Sequence, residues 1–64
     1  MKIIKTNIKD GNTTVREIEA VRFEDREDCI FYETELYEAE FPKAITTVTG
    51  VTEDTVSITV NWDK

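Results

Sequence analysis

Between Thr55 and Trp62 apolar and polar residues alternate without a break. Val56, Ile58, Val60 and Trp62 stand against Thr55, Ser57, Thr59 and Asn61. Successive side chains of a strand point to opposite faces, so this period of two predicts a strand with one apolar and one wet face. The β-branched and aromatic residues suit a pleated, half-buried surface. Trp62 is the largest apolar group available and is expected to anchor the core.

The same alternation recurs upstream. Lys2–Lys9 reads as a strand, with Ile4, Thr6 and Ile8 on one face and Ile3, Lys5 and Asn7 on the other. Asp10-Gly11-Asn12 predicts a tight reversal, because Asp-Gly and Gly-Asn pairs accept the positive φ angles of short hairpin turns. Thr13–Glu24 carries two patterns. Thr14–Glu17 has the spacing of a capping box, and Val15, Ile18 and Val21 recur as along a helix. Val21 and Phe23 alternate as in a strand, no helix stop follows, and the preceding turn requires a hairpin partner. A strand is the preferred reading.

Glu24–Asp28 is a polar interruption with the length of a hairpin loop. It lacks the spacing, the glycine and the closing glutamate of an EF-hand calcium loop. Cys29–Glu38 opens with strong strand formers. Ile30, Tyr32, Thr34 and Leu36 share one face, and Cys29, Phe31, Glu33, Glu35 and Tyr37 the other. Glu33–Phe41 also holds good helix formers and ends before Pro42. A short helix there, between two hairpins in an α+β arrangement, is the alternative. Lys43–Thr49 is a threonine-rich strand, and Gly50–Asp54 returns the chain to the last one. The whole predicts a single all-β domain over residues 1–64, with about five antiparallel strands in a meander forming a curved sheet or small open barrel.

Composition narrows the function. A 64-residue chain buries only roughly 60% of the surface its unfolded form exposes, so its stability is marginal. Cys29 is the single cysteine and histidine is absent, which leaves neither an intrachain disulfide nor a Cys/His zinc site. An efficient sheet core or self-association through open sheet edges is the remaining support, and Lys43–Thr49 carries few charges to discourage the latter. No apolar run reaches the length of about 20 residues that spans a bilayer, and Met1 leads into a strand rather than a signal segment. The expectation is a cytoplasmic protein with a reduced thiol, no cofactor and no membrane partner.

Catalytic readings fail on inventory. Without histidine, Cys29 has no imidazole to activate it, and beside Ile30 and Phe31 it reads as a small buried hydrophobe. Gly11 and Gly50 are isolated, so no phosphate-binding glycine loop exists. Carboxylate pairs suited to glycoside cleavage are abundant, but so small a domain offers little cleft for a sugar. Phe31, Tyr32, Tyr37 and Trp62 are the types that stack nucleic-acid bases, yet that mode needs a basic groove and this region is rich in glutamate. Fourteen acidic against eight basic residues give a net charge of −6, which disfavours direct nucleic-acid binding and favours a protein partner with a basic surface.

Placement of the acids points to a candidate face. With a Glu24–Asp28 loop, Phe23 faces Cys29, Val21 faces Phe31, Glu19 faces Glu33, Glu17 faces Glu35 and Val15 faces Tyr37. Glu17, Glu19, Glu33 and Glu35 then gather on one face, flanked by Phe31 and Tyr37. Like charges directly opposite are destabilising, so folding alone does not favour this quartet. A register slipped by one residue sets Arg16 against Glu35 and Arg22 against Cys29, but strands Glu17 and Glu19 on the apolar side. The first register buries no glutamate and is preferred, and its six residues are the candidate partner-binding site. The function expected is a non-enzymatic inhibitor of a nucleic-acid-acting or defence enzyme, acting as a carboxylate mimic of a DNA backbone. The alternative is an assembly module that self-associates through strand edges. In size and composition alone, the chain is similar to small phage-encoded inhibitors of host enzymes or defence systems, a resemblance that implies no site residue.

Overall fold

The computed structural model describes residues 1–64 and contains seven strands and no helix. These are β1 (Lys2–Lys9), β2 (Asn12–Glu19), β3 (Arg22–Asp25), β4 (Cys29–Glu33), β5 (Glu38–Pro42), β6 (Thr46–Val51) and β7 (Thr55–Asn61). They form a four-stranded sheet in the order β2-β1-β7-β6 and a three-stranded sheet in the order β3-β4-β5. The all-β class follows the alternation in the sequence. The count and the connectivity differ from a five-stranded meander, and the sheets do not close into a barrel. β1 lies at the centre of its sheet, antiparallel to β2 and parallel to β7. A parallel neighbour needs a long crossover, and here the whole three-stranded layer lies between β2 and β6.

The expected strand over Thr13–Glu24 is two strands, because the chain changes sheets at Ala20-Val21. Ala20 N–H donates to Met1 O in the first sheet, and Val21 N–H donates to Glu33 O in the second, both at 2.8 Å. The β1–β2 reversal is as the Asp-Gly pair requires. Asp10 and Gly11 both have positive φ, 54° and 74°. Their N–H groups donate to the two carboxylate oxygens of Asp63, at 2.7 and 2.8 Å. Those two bonds hold the Asp63 carboxyl below its usual range, Gly11 having the larger effect.

No helix forms over Glu33–Phe41. The Thr34 hydroxyl accepts the N–H groups of both Leu36 and Tyr37 at 3.1 Å, and Thr34 N–H donates to Tyr37 O. A side chain that captures these donors offers the backbone a turn in place of a helical ladder. The turn also ends the alternation expected to bury Leu36, which is 92% exposed.

The core lies between the layers. Ile3, Val56, Ile58 and Val60 face Ile30, Tyr32 and Phe41, with Ala20 at the crossing point. The apolar face of β7 is as its pattern predicts, except at its end. Trp62 lies one residue past the strand and is 46% exposed, so it is not the anchor. Its ring meets Phe41 edge-on at 6.0 Å, and its indole N–H donates to Asn7 Oδ1 at 3.3 Å. The opposing sheet ends at Pro42, too soon to cover it. Tyr32 takes the central place. It is buried, edge-on to Tyr37 at 6.2 Å and tilted against Phe41 at 5.9 Å. Burial, then its hydrogen bond with Tyr37, pushes the Tyr32 hydroxyl well above its ordinary range.

Three substitutions test this account. Ile58→Ala, removing a fully buried side chain, should cost about 2–5 kcal/mol, and Trp62→Ala distinctly less. Equal costs in urea unfolding would return Trp62 to the core. Thr46 is 5% exposed and its Oγ1 has no partner. A buried unsatisfied hydroxyl costs about 1–3 kcal/mol, so Thr46→Val should raise the unfolding midpoint, and a lower midpoint refutes the assignment.

Candidate functional site

Where the charge goes is decided by which segments make which layer. Residues 22–42, the three-stranded sheet and its turns, contain eight carboxylates against two arginines. That difference of six is the whole net charge, and the rest of the chain has six residues of each sign. One layer is neutral and the other is acidic.

The outer face of the acidic layer is built around Phe31. Facing residues of an antiparallel ladder share a face, so Glu24 and Glu40 flank Phe31, while Arg22 and Glu38 flank Glu33. The Phe31 ring is 2% exposed although it points away from the core, because two guanidiniums cover it. Arg26 Cζ lies 4.1 Å from the ring centroid and Arg22 Cζ 5.0 Å. Both arginines are held from the sides. Arg26 Nε donates to Glu24 at 2.8 Å and Nη1 to Glu40 at 3.2 Å, and Arg22 lies 3.4 Å from both Glu24 and Glu33. The Arg26 hydrogen bond is the main reason the Glu24 carboxyl lies below its usual range, with both guanidinium charges adding to it. A planar guanidinium can stack and donate in two directions at once, which an ammonium cannot.

The expected quartet is not assembled. β3 pairs with β4 so that Phe23 faces Tyr32 and Arg22 faces Glu33, a register that neither predicted alignment matches. Glu24 and Asp25 are strand residues, so the loop is three residues, not five. Glu33 and Phe31 belong to the outer face just described. Glu35 and Tyr37 lie in the turn before β5. Glu17 and Glu19 are on β2 in the other layer, where Glu17 pairs with Lys2 at 2.6 Å and Glu19 lies 3.6 Å from the Met1 ammonium. The residues missed were Arg22, Glu24, Arg26, Glu38 and Glu40. Their signal was the alternation of charges on both sides of a single aromatic, hidden by reading the polar run as a loop.

A second feature lies between the layers. Inward residues of β1 and β2 and the 34–37 turn enclose an open groove of about 1190 Å3. Lys5 and Arg16 face each other directly across β1–β2, and neither has an ion-pair partner among the fourteen acids. The Lys5 ammonium lies 4.3 Å from the Phe41 ring centroid. Burial, and then the Arg16 charge, lowers its pKa. Met1, Val21, Leu36 and Tyr37 expose apolar surface along the rim.

No family model, no curated protein and no solved structure matches the chain. No helix is long and apolar enough to cross a membrane.

The Phe31 roof gives a measurable expectation. Arg26→Lys keeps the charge but loses the stacked plane and one of the two bridging directions. It should lower the midpoint of chemical unfolding, and that loss should shrink when Phe31 is replaced by Ala. A neutral Arg26→Lys would mean the guanidinium only lies near the ring.

Proposed function

We propose that this protein is a non-enzymatic binding module, an inhibitor that receives a basic surface of a protein partner on the outer face of its three-stranded sheet. The observation that supports this reading is the segregation of charge: all six surplus carboxylates fall within residues 22–42. A one-sided field steers a basic partner and orients it before contact. On this reading the surplus carboxylates of the small sheet stand in for the phosphates of a nucleic-acid backbone. The partner class is therefore an enzyme with a phosphate-binding groove, acting on nucleic acid or in defence against it. Phe31 and Glu33 stay within the proposed face, Glu35 and Tyr37 lie in the turn that lines the groove behind it, and Glu17 and Glu19 are in the other layer. The proposed setting is the cytoplasm, with Cys29 as a free thiol.

The experiment uses four acids of this layer that make no ion pair. Glu27, Asp28, Glu35 and Glu38 can be neutralised to Gln or Asn without releasing an arginine from its partner. The wild-type chain, immobilised, should retain a basic nucleic-acid-binding protein from lysate at low salt and release it near 1 M, where the screening length is about 3 Å. The neutralised variant should retain about tenfold less of the same protein. Equal retention by both chains, or retention that survives high salt, would sink the reading.

A further inference from the structure

The four sheet edges are not alike. β3 has four residues, β5 has five and closes on Pro42, and β6 is interrupted by an irregularity between Val48 and Gly50. Shortness, proline and bulges are recurrent devices against strand addition. β2 has none of them. It runs eight residues in unbroken register with β1, and all but Ile18 are exposed.

The free backbone groups of β2 follow from its ladder with β1. Met1 and Ala20 exchange both of their N–H···O bonds, at 3.1 and 2.8 Å. Such pairs alternate along an antiparallel ladder with pairs that exchange none. Ile18, Arg16, Thr14 and Asn12 therefore bond to β1. The N–H and C=O groups of Thr13, Val15, Glu17 and Glu19 point off the edge of the sheet, where no strand lies.

We propose that β2 pairs antiparallel with β2 of a second copy, with Val15 opposite Val15 on the two-fold axis, so that the two four-stranded sheets become one. Charge selects this register. A two-fold axis normal to the sheet keeps each face on its own side, so facing residues must share a face. Centring the pair on Arg16 places Lys5, Arg16 and their copies in one row of four cations, because Lys5 already faces Arg16. Centring it on Glu17 sets Glu17 against Glu17. Centring on Val15 overlaps Asn12–Ile18, sets Arg16 against Thr14 and Glu17 against Thr13, and opposes no like charges. The same register joins the free backbone groups, Val15 to Val15 and Thr13 to Glu17 on each side. It also covers Val15, which is 63% exposed, with an apolar partner inside the row Thr6, Val15, Val15, Thr6.

A second copy is the fitting occupant because the complementarity is internal to the segment: Thr13 and Thr14 stand where Glu17 and Arg16 of the other copy require neutral neighbours. The seam also lies in the layer that carries no net charge, away from the acids of residues 22–42. The inference stands on β2 alone and does not depend on the partner-binding reading.

Sedimentation and directed cross-linking test it, with the cysteines placed in a Cys29→Ser background. The wild-type chain should sediment as a dimer. Val15→Pro should be a folded monomer, since the Val15 N–H has no partner within one copy and an edge strand tolerates proline there. A hydrogen-bonded pair has a Cα separation of about 5.5 Å, inside the disulfide range of about 4.4–6.8 Å. Val15→Cys should thus link to itself when oxidised glutathione takes up the electrons as two thiols. Thr13→Cys and Glu17→Cys should link to each other when mixed, and neither alone. A wild-type chain that stays monomeric at its highest soluble concentration overturns the proposal. So does a dimer that survives Val15→Pro, or self-linking of Glu17→Cys in place of Val15→Cys.

Discussion

Everything in this molecule depends on covering one apolar stripe. Val56, Ile58 and Val60 on β7, with Ile3 beside them, form a floor that a four-stranded sheet cannot bury by itself. The cover is three short strands, and only one of them, β4, sits at their centre. Its three middle residues are therefore buried on both faces, Ile30 and Tyr32 inward and Phe31 outward. A 64-residue domain of ordinary stability holds roughly 3–10 kcal/mol in total. The loss of a single side chain from this interlayer contact is a large part of that amount, so the cover cannot be thinned further.

Brevity of the cover explains the charge pattern. The outer sides of β3 and β5 contribute nothing to the core, and those positions are free to be acidic. Phe31 is the exception that must be sheltered, and the shelter is supplied by guanidiniums rather than by a third layer. The arginines also separate the glutamates they bridge. Without Arg22 and Arg26 nothing would relieve Glu33, which already faces Glu38, and Glu24 and Glu40 would crowd around an exposed ring. One pair of side chains thus serves packing and charge at once, which is why so many carboxylates can stand in a layer so thin.

Much of the fold was legible wherever one residue type has one physical consequence. The alternation in β7, the positive φ at Asp10-Gly11 and the strand character of Cys29–Tyr32 all carried through. What failed was inference over a distance. Trp62 continues the apolar alternation, but its burial depends on how far a strand from the other layer extends over it, and β5 supplies only the Phe41 ring against one edge. Glu24 and Asp25 look like loop residues, yet a strand whose outer face meets water accepts them, and counting them as loop displaced the whole register. Leu36 was assigned to the core by parity that the Thr34 hydroxyl interrupts. The parallel pairing of β1 with β7 has no local signature at all, since it joins the two ends of the sequence. The candidate site suffered for the same reason: its acids were identified correctly as residues and grouped wrongly, because grouping depends on register.

Two like-charge pairs remain that folding does not account for, and they lie on opposite sides of the cover. Lys5 faces Arg16 inside the groove, and Glu33 faces Glu38 on the outer face. Positions that break a local rule without local compensation are where function usually presses on a fold. Glu33 is partly relieved by Arg22, whereas Lys5 and Arg16 have no carboxylate within ion-pair distance in a chain that has a surplus of them. The two pairs have opposite sign and are separated by the buried rings of Tyr32 and Phe41. The domain is in consequence uneven in charge across its thickness, anionic outside the three-stranded sheet, with the Lys5–Arg16 pair offset in the groove wall by Glu17, Glu19 and Glu35. On the proposed reading, that unevenness has a direct effect on encounter: a basic surface is drawn to the acidic layer rather than to the neutral one, so the order of the layers, not the net charge alone, sets how a partner arrives.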